Sequence, residues 1–327
     1  MRPGGNDPLR LARVVPALSL VYLALVVFVV ARRIAYPYEL EWMEGVALEH
    51  ALRVRDGLPI YVAPSLTWVP LSYPPLYFWA GAAAIRVLGE SFLALRLVSA
   101  LATVAICELL WTLVRFETGR RSPAWLAVGL YAAAFRLGGA WFDVARADSL
   151  HLALLLGAAV ALRMDASRWR APIVAGTLVA LAFLAKQSAL PVIAPLAVWL
   201  IATDWRPGVT LVATAGLLTA GAVLLLDGMS GGWFRYYVFG IPALHKIDWG
   251  LLAQFPRDDM LRRFWPLLLL GAVAIALRWR DLGWRTAGFH AALGAGLLGI
   301  SWSLRLYRGG FENVLMPAHA ELAILGA

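Results

Sequence analysis

The chain has 327 residues, of which 61% are hydrophobic and only 15% charged. Soluble domains are nearer to about 45–50% apolar, so a water-soluble fold is excluded and lipid must solvate much of this chain. The formal net charge of +9 comes almost wholly from arginine. In so apolar a chain that excess points to membrane topology and anionic lipid, not to nucleic acid. A single cysteine, Cys107, leaves no intrachain disulfide to form.

In chain order, Arg2, Arg10 and Arg13 precede an apolar run predicted to span the membrane over 13–31. It is long for a signal peptide and has no convincing cleavage site. It reads as an uncleaved first helix with a cytoplasmic N-terminus. A long outer loop, 32–91, follows. In it, Leu40, Met43, Ala47 and Val54 recur at helical steps, with Gly57 as a stop signal. Glu41 and Glu44 are three apart and are expected to share a helix face. They read either as a solvated face or as a general base at the membrane surface. Tyr61 and the run Tyr73-Pro74-Pro75-Leu76-Tyr77-Phe78-Trp79 suit an aromatic belt at headgroup level.

Further spans are predicted over 94–114, 123–138, 149–163, 171–186, 188–203, 208–226, 263–278, 286–303 and 313–327. The apolar segment 75–88 decides the topology. If it lies in the interface, the linkers carrying Arg115, Arg120 and Arg121, then Arg163, Arg168 and Arg170, then Arg206, then Arg278, Arg280 and Arg285, all fall on the N-terminal side. That satisfies the positive-inside rule at every short linker and is the arrangement expected. The outcome is an all-α polytopic membrane protein of about ten transmembrane helices, one domain over 1–327, with juxtamembrane helices in the first and third outer loops.

The ionisable residues that interrupt this pattern are the candidates for chemistry. Trp141 to Asp148 form a turn between two spans, with Arg136 before it and His151 after. Asp148 reads as an N-cap, as a functional acid, or as both. Arg146 could bind a phosphate bidentately or pair with Asp143. Lys186, before Gln187, could snorkel to the surface or hold a lipid phosphate. Trp233, Phe234, Arg235, Tyr236 and Tyr237 suit an interfacial helix in the third outer loop. A late run, Arg305 to Asn313, contains Arg308. His319 and Glu108 read as helix-packing residues. The five histidines show no ligand spacing, and no metal site is assigned. Phosphate-binding glycine motifs are also missing from the sequence.

The order of these features resembles the GT-C class of membrane glycosyltransferases. More narrowly, it is similar to the family-39-like group that includes protein O-mannosyltransferases and the aminoarabinose transferase of lipid A. The likeness runs from about Val14 to Ala327. It implies a GT-C-like bundle and a polyprenyl-phosphate-linked sugar as donor. It further implies a glycan, lipid or protein acceptor at the outer face of the cytoplasmic membrane, and inversion at the anomeric carbon. It leaves a divalent metal open as a cofactor. Members typically carry a first-loop Asp-Glu pair with the Asp as base. Here Met43-Glu44-Gly45 takes that place, so the role passes to Glu44 or Glu41. Asp148 matches the second acidic position. Arg146, Lys186 and Arg308 are the implied donor-phosphate ligands. Members also have a C-terminal region beyond these spans. The sequence stops inside its last apolar run, so a non-catalytic lipid-binding fragment is one rival reading. A transporter or flippase of a lipid-linked precursor is another, and it predicts charges near the middle of several spans.

Overall fold

The computed structural model describes residues 8–165, 167–278 and 283–327. Arg2 and Arg280 lie outside the described residues, and the side chains of Arg10, Arg13 and Arg278 are not described. Among the described residues the regular structure is entirely helical.

The elements are α1 (Pro8–Arg33), α2 (Glu44–Arg55), α3 (Leu76–Leu88), α4 (Phe92–Thr118), α5 (Arg121–Leu137), α6 (Asp148–Met164) and α7 (Arg170–Ala185). They continue with α8 (Ala189–Thr203), α9 (Trp205–Met229), the short turns α10 (Trp233–Arg235) and α11 (Ile241–Ala243), α12 (Arg262–Arg278), α13 (Trp284–Arg305) and α14 (Met316–Leu325). Four helices are by themselves long and apolar enough to cross a bilayer: Val14–Arg33 within α1, α4, α9 and α13. The other bundle helices α5 to α8 and α12 have 15 to 17 residues. At 1.5 Å per residue they reach about 22–26 Å, so local thinning of the bilayer must accompany them.

Alternation of the bundle helices gives the molecule two ends. The ends of α4, α6, α8 and α12 and the starts of α5, α7, α9 and α13 lie at one end, beside the N-terminal start of α1. That end carries Arg115, Arg120, Arg121, Arg163, Arg168, Arg170, Arg206 and Arg285. The loops 34–91, 138–147, 186–188, 230–261 and 306–315 gather at the other end.

The segment expected to lie on the membrane crosses one end of the bundle by its contacts. Tyr77, in the first turn of α3, donates to Leu95 O at 2.9 Å and meets Ser99 Oγ at 2.9 Å, both near the start of α4. The last residue of α3 reaches the first of α4 through only Gly89, Glu90 and Ser91. Both ends of α3 therefore sit beside the same end of α4, and α3 runs across that end. Gly89, at φ 84°, makes the reversal that a side chain would strain.

Small residues let the bundle close. Ala158, Ala175, Ala182 and Ala189 on α6 to α8 are fully buried and bring those helices together. The apolar side chains that face outward mark the lipid side: Phe28 on α1 is 63% exposed and Leu224 on α9 is 74% exposed. At the basic end, Arg163 holds Glu117 at 2.9 Å and Thr286 at 2.9 Å, tying α6 to α4 and α13.

The third outer loop contains the expected helical stretch, but in broken form. α10, a π-turn over Tyr236–Gly240 and α11 follow one another, and a second π-turn, Phe255–Leu261, leads into α12. Phe234 is completely buried, against Tyr61 of the first loop.

Candidate active site

Two of the buried ionic clusters at the loop-rich end begin in the first outer loop. The helix expected from about Leu40 starts later, at Glu44. The carboxylates before it bond locally to the backbone and so compete with helix. Glu39 Oε1 accepts from Gly45 N at 2.8 Å, and Glu41 Oε2 accepts from Met43 N at 3.1 Å. Glu44 Oε2 accepts from Leu40 N at 2.6 Å. Glu41 thus lies in the bend and Glu44 on the helix, so the two do not share a helix face.

Glu44 is in the closed cluster. It and Arg96 of α4 are both completely buried and joined by two bonds, Nε to Oε1 at 2.9 Å and Nη2 to Oε2 at 2.5 Å. Ala145 N also donates to Oε1, at 2.8 Å. The remaining Arg96 donors go to carbonyls at the end of α1, Tyr36 O at 2.6 Å and Tyr38 O at 2.7 Å. Every Glu44 oxygen is doubly bonded, and the pair fastens α1, α2, α4 and the 138–147 turn to one another.

The same turn is held from the other side by Arg33, which pairs with Asp143 and donates to Ala140 O. Asp143 is therefore the partner of Arg33, and not of Arg146. Ala140 carries φ 60°, a left-handed conformation that is strained for a residue with a side chain.

The open cluster runs from Glu41 to Lys186. Arg146 lies between two acids, with Nη1 at 3.3 Å from Glu41 Oε2 and Nε at 3.3 Å from Asp148 Oδ2. Its Nη2 donates to the Tyr73 hydroxyl at 3.0 Å, its guanidinium faces the Trp141 ring, and Met43 Sδ lies 2.8 Å from Nη1. Asp148 Oδ1 accepts from Lys186 Nζ at 2.7 Å and Asn313 Nδ2 at 3.0 Å. Asp148 is in the first turn of α6, where the helix dipole also favours its charge. It does not cap the helix: Ala147 holds that position, and the Asp148 carboxylate is taken by its cations. Lys186 points inward to Asp148 and does not snorkel.

One carboxylate oxygen of this ionic cluster is unused. Glu41 Oε1 is buried and has no hydrogen-bond partner. Burial pushes the Glu41 carboxyl above its usual range, and the nearby Arg146 charge only partly opposes that. Such a group is a strong proton acceptor once ionised.

Supporting residues hold the cluster from outside. Gln187 donates to Ser72 O at 2.9 Å, and Tyr61 donates to Tyr73 O at 2.7 Å. His50 Nε2 accepts from Leu71 N at 2.8 Å while its Nδ1 bonds Val46 O at 2.7 Å. Burial lowers the pKa of His50 to about 4, keeping it neutral so that it can accept that bond. Together they position the loop that carries Tyr73.

Arg308 does not join the cluster. It is exposed and pairs with Asp248 at 2.9 Å. From the late run it is Asn313 that reaches Asp148, and Arg305 makes a separate buried pair with Asp259 at 2.8 and 2.9 Å. Arg96, Tyr73 and Asn313 are the residues that sequence reasoning did not assign to the site. A signal existed for Arg96: it is a lone charge in the outer part of an apolar helix. Among the described residues, no three His, Cys, Asp or Glu side chains converge as metal ligands.

Residues 72–228 match the sequence model of a family described as Dolichyl-phosphate-mannose-protein mannosyltransferase. In three dimensions the chain matches the crystal structure of ArnT from Cupriavidus metallidurans bound to undecaprenyl phosphate, with TM-score 0.69 and 17% identity. This is a GT-C fold. The apo structure of the same ArnT matches with TM-score 0.68 and 16% identity. Each match covers 94% of this chain, but only 59% and 58% of ArnT, so the chain spans about three fifths of that GT-C protein. Comparison with curated protein sequences gives no match. The family match takes in Tyr73, Arg146, Asp148 and Lys186, whereas Glu41 and Glu44 precede it.

Proposed function

We propose that the chain transfers a sugar from a polyprenyl-phosphate-linked donor to an acceptor hydroxyl or amine at the loop-rich end of the bundle. The observation that carries this reading is the buried chain Glu41–Arg146–Asp148–Lys186, which ends in a carboxylate oxygen without a partner. The ArnT match supports the donor class, since that relative holds undecaprenyl phosphate.

The roles follow from charge. The donor keeps its tail in lipid and its phosphate at the surface, beside Arg146 and Lys186. As the acceptor heteroatom attacks the anomeric carbon, its proton passes to Glu41 Oε1. The bond from that carbon to the phosphate oxygen breaks, and the electron pair leaves with the polyprenyl phosphate. Arg146 and Lys186 stabilise the charge that grows there. Asp148 is a positioning residue that holds both cations before the donor arrives. One displacement inverts the anomeric centre. Glu44 is assigned to the fold, since its oxygens are already bonded. The exposed position of Arg308 gives it no part in this scheme.

The test uses the full chain in nanodiscs with polyprenyl phosphate. Lys186→Met should weaken binding about tenfold or more, as loss of a charge-assisted bond to phosphate requires. Binding unchanged by Lys186→Met and by Arg146→Gln, with both variants folded, would overturn the proposal. A flippase would move labelled donor across a vesicle without releasing polyprenyl phosphate, and that result would likewise overturn it.

A further inference from the structure

The basic end of the bundle, opposite the candidate active site, holds a cleft of about 750 Å³ between the end of α8 and the starts of α9 and α13. Arg168, Arg206 and Arg285 all line it, with Asp204 as its acid. Among the described residues, three guanidinium groups against one carboxylate leave two positive charges on the cleft. Asp204 is engaged locally: it accepts from Arg168 at 2.8 and 3.1 Å and from Arg206 N at 3.3 Å, capping α9. Arg206 lies over the Trp205 ring at 5.6 Å and Arg285 over the Trp284 ring at 5.4 Å. Both guanidinium groups are thereby held on flat aromatic supports.

The helix ends add to the field. α9 begins at Trp205 and α13 at Trp284, so two N-termini with their partial positive charge open on the same side. One side of the cleft is apolar: Leu200 and Ile201 of α8 line it, and Ile201 is 41% exposed. Trp205 and Trp284 stand exposed at 61% and 65%, as interfacial anchors do. Trp199 lines the cleft as well, its indole N–H packed against Gly288 of α13.

We propose that this cleft binds the phosphate headgroup of an anionic phospholipid from the leaflet at the basic end. A phosphate diester is the shared chemistry, and a free phosphate ion would satisfy the arginines equally. The apolar wall and the two exposed tryptophans favour the lipid, whose acyl chains lie along α8 while its headgroup sits between Arg206 and Arg285. Basic pockets between transmembrane helices bind anionic headgroups in this way. The site is independent of sugar transfer.

Native mass spectrometry of the detergent-purified chain, titrated with phosphatidylglycerol, phosphatidylcholine or inorganic phosphate, tests it. Phosphatidylglycerol should be retained in preference to phosphatidylcholine. Each of Arg206→Gln and Arg285→Gln should weaken that retention about fivefold, and the two together about 25- to 30-fold, as expected for headgroup arginines. Both residues are exposed, so the variants should unfold at the wild-type temperature. Trp205→Ala should weaken retention of phosphatidylglycerol, by removing both an interfacial anchor and the support of Arg206. Equal retention of the two lipids, or unchanged retention in the double variant, overturns the proposal. So does full displacement of the lipid by millimolar inorganic phosphate, which would assign the cleft to the free ion.

Discussion

The two ionic clusters at the loop-rich end are built from the same residue types a few ångströms apart, yet they differ in what they leave over. Glu44 and Arg96 are sealed from solvent, and each carboxylate oxygen accepts two bonds. Glu41, Arg146, Asp148 and Lys186 are slightly open, at 7 to 12% exposure, and finish on an unbonded oxygen. A saturated pair is a fastener, because any reaction at it would leave a buried charge unpaired. An unsaturated chain retains bonding capacity for a ligand. Two glutamates three residues apart can therefore divide fold and chemistry between them.

The sharpest way to break this contrast is at Arg96. Arg96→Leu leaves the buried Glu44 charge without its cation and several carbonyls without a donor, and should cost about 3–5 kcal/mol of stability. Chemical denaturation in a lipid nanodisc would measure it. If the variant is as stable as wild type, the closed pair is not a fastener. Asp148→Asn in the open cluster should cost less, about 2–3 kcal/mol, since Arg146 retains Glu41 and Tyr73. It should also lower the affinity for polyprenyl phosphate, because the cations lose the group that sets their positions.

A pH profile sharpens the comparison in another way. Burial raises the Glu41 carboxyl, and the proposed transfer needs its ionised form. Sugar transfer should accordingly fall on acidification with a midpoint above the ordinary carboxylate range. A profile that stays flat down to that range would remove Glu41 from the proton path. The smallest effect is expected at Tyr73, whose hydroxyl accepts one bond from Arg146. Tyr73→Phe should raise the donor KM by a few-fold, about 1 kcal/mol, and leave kcat nearly unchanged.

Much of the architecture was legible because lipid imposes it. The apolar runs became helices close to where hydropathy sets them, and arginine placement anticipated that α3 does not run through the bundle but across one end of it. Asp148, Arg146 and Lys186 were legible as charges that an apolar bundle keeps only at a cost. Their partners were not. Nothing local connects Asp148 with Asn313, 165 residues further on, or Arg96 with Glu44, 52 residues before it. The division between Glu41 and Glu44 was hidden for a different reason. It depends on where α2 starts, and side-chain bonds from Glu39, Glu41 and Glu44 delay that start to Glu44. Arg308 misled because a charge in an outer loop looks the same in sequence whether it faces the site or, as here, Asp248.

The central claim is that the open glutamate carries the proton while the closed one carries the fold. Parallel measurement of sugar transfer and thermal unfolding for Glu41→Gln and Glu44→Gln tests it directly. Glu41→Gln should unfold near the wild-type temperature and lose about 100- to 10,000-fold in kcat. Glu44→Gln should unfold at a clearly lower temperature, and the fraction that remains folded should retain kcat within a few-fold. A folded Glu41→Gln enzyme that transfers sugar at the wild-type rate would contradict the account.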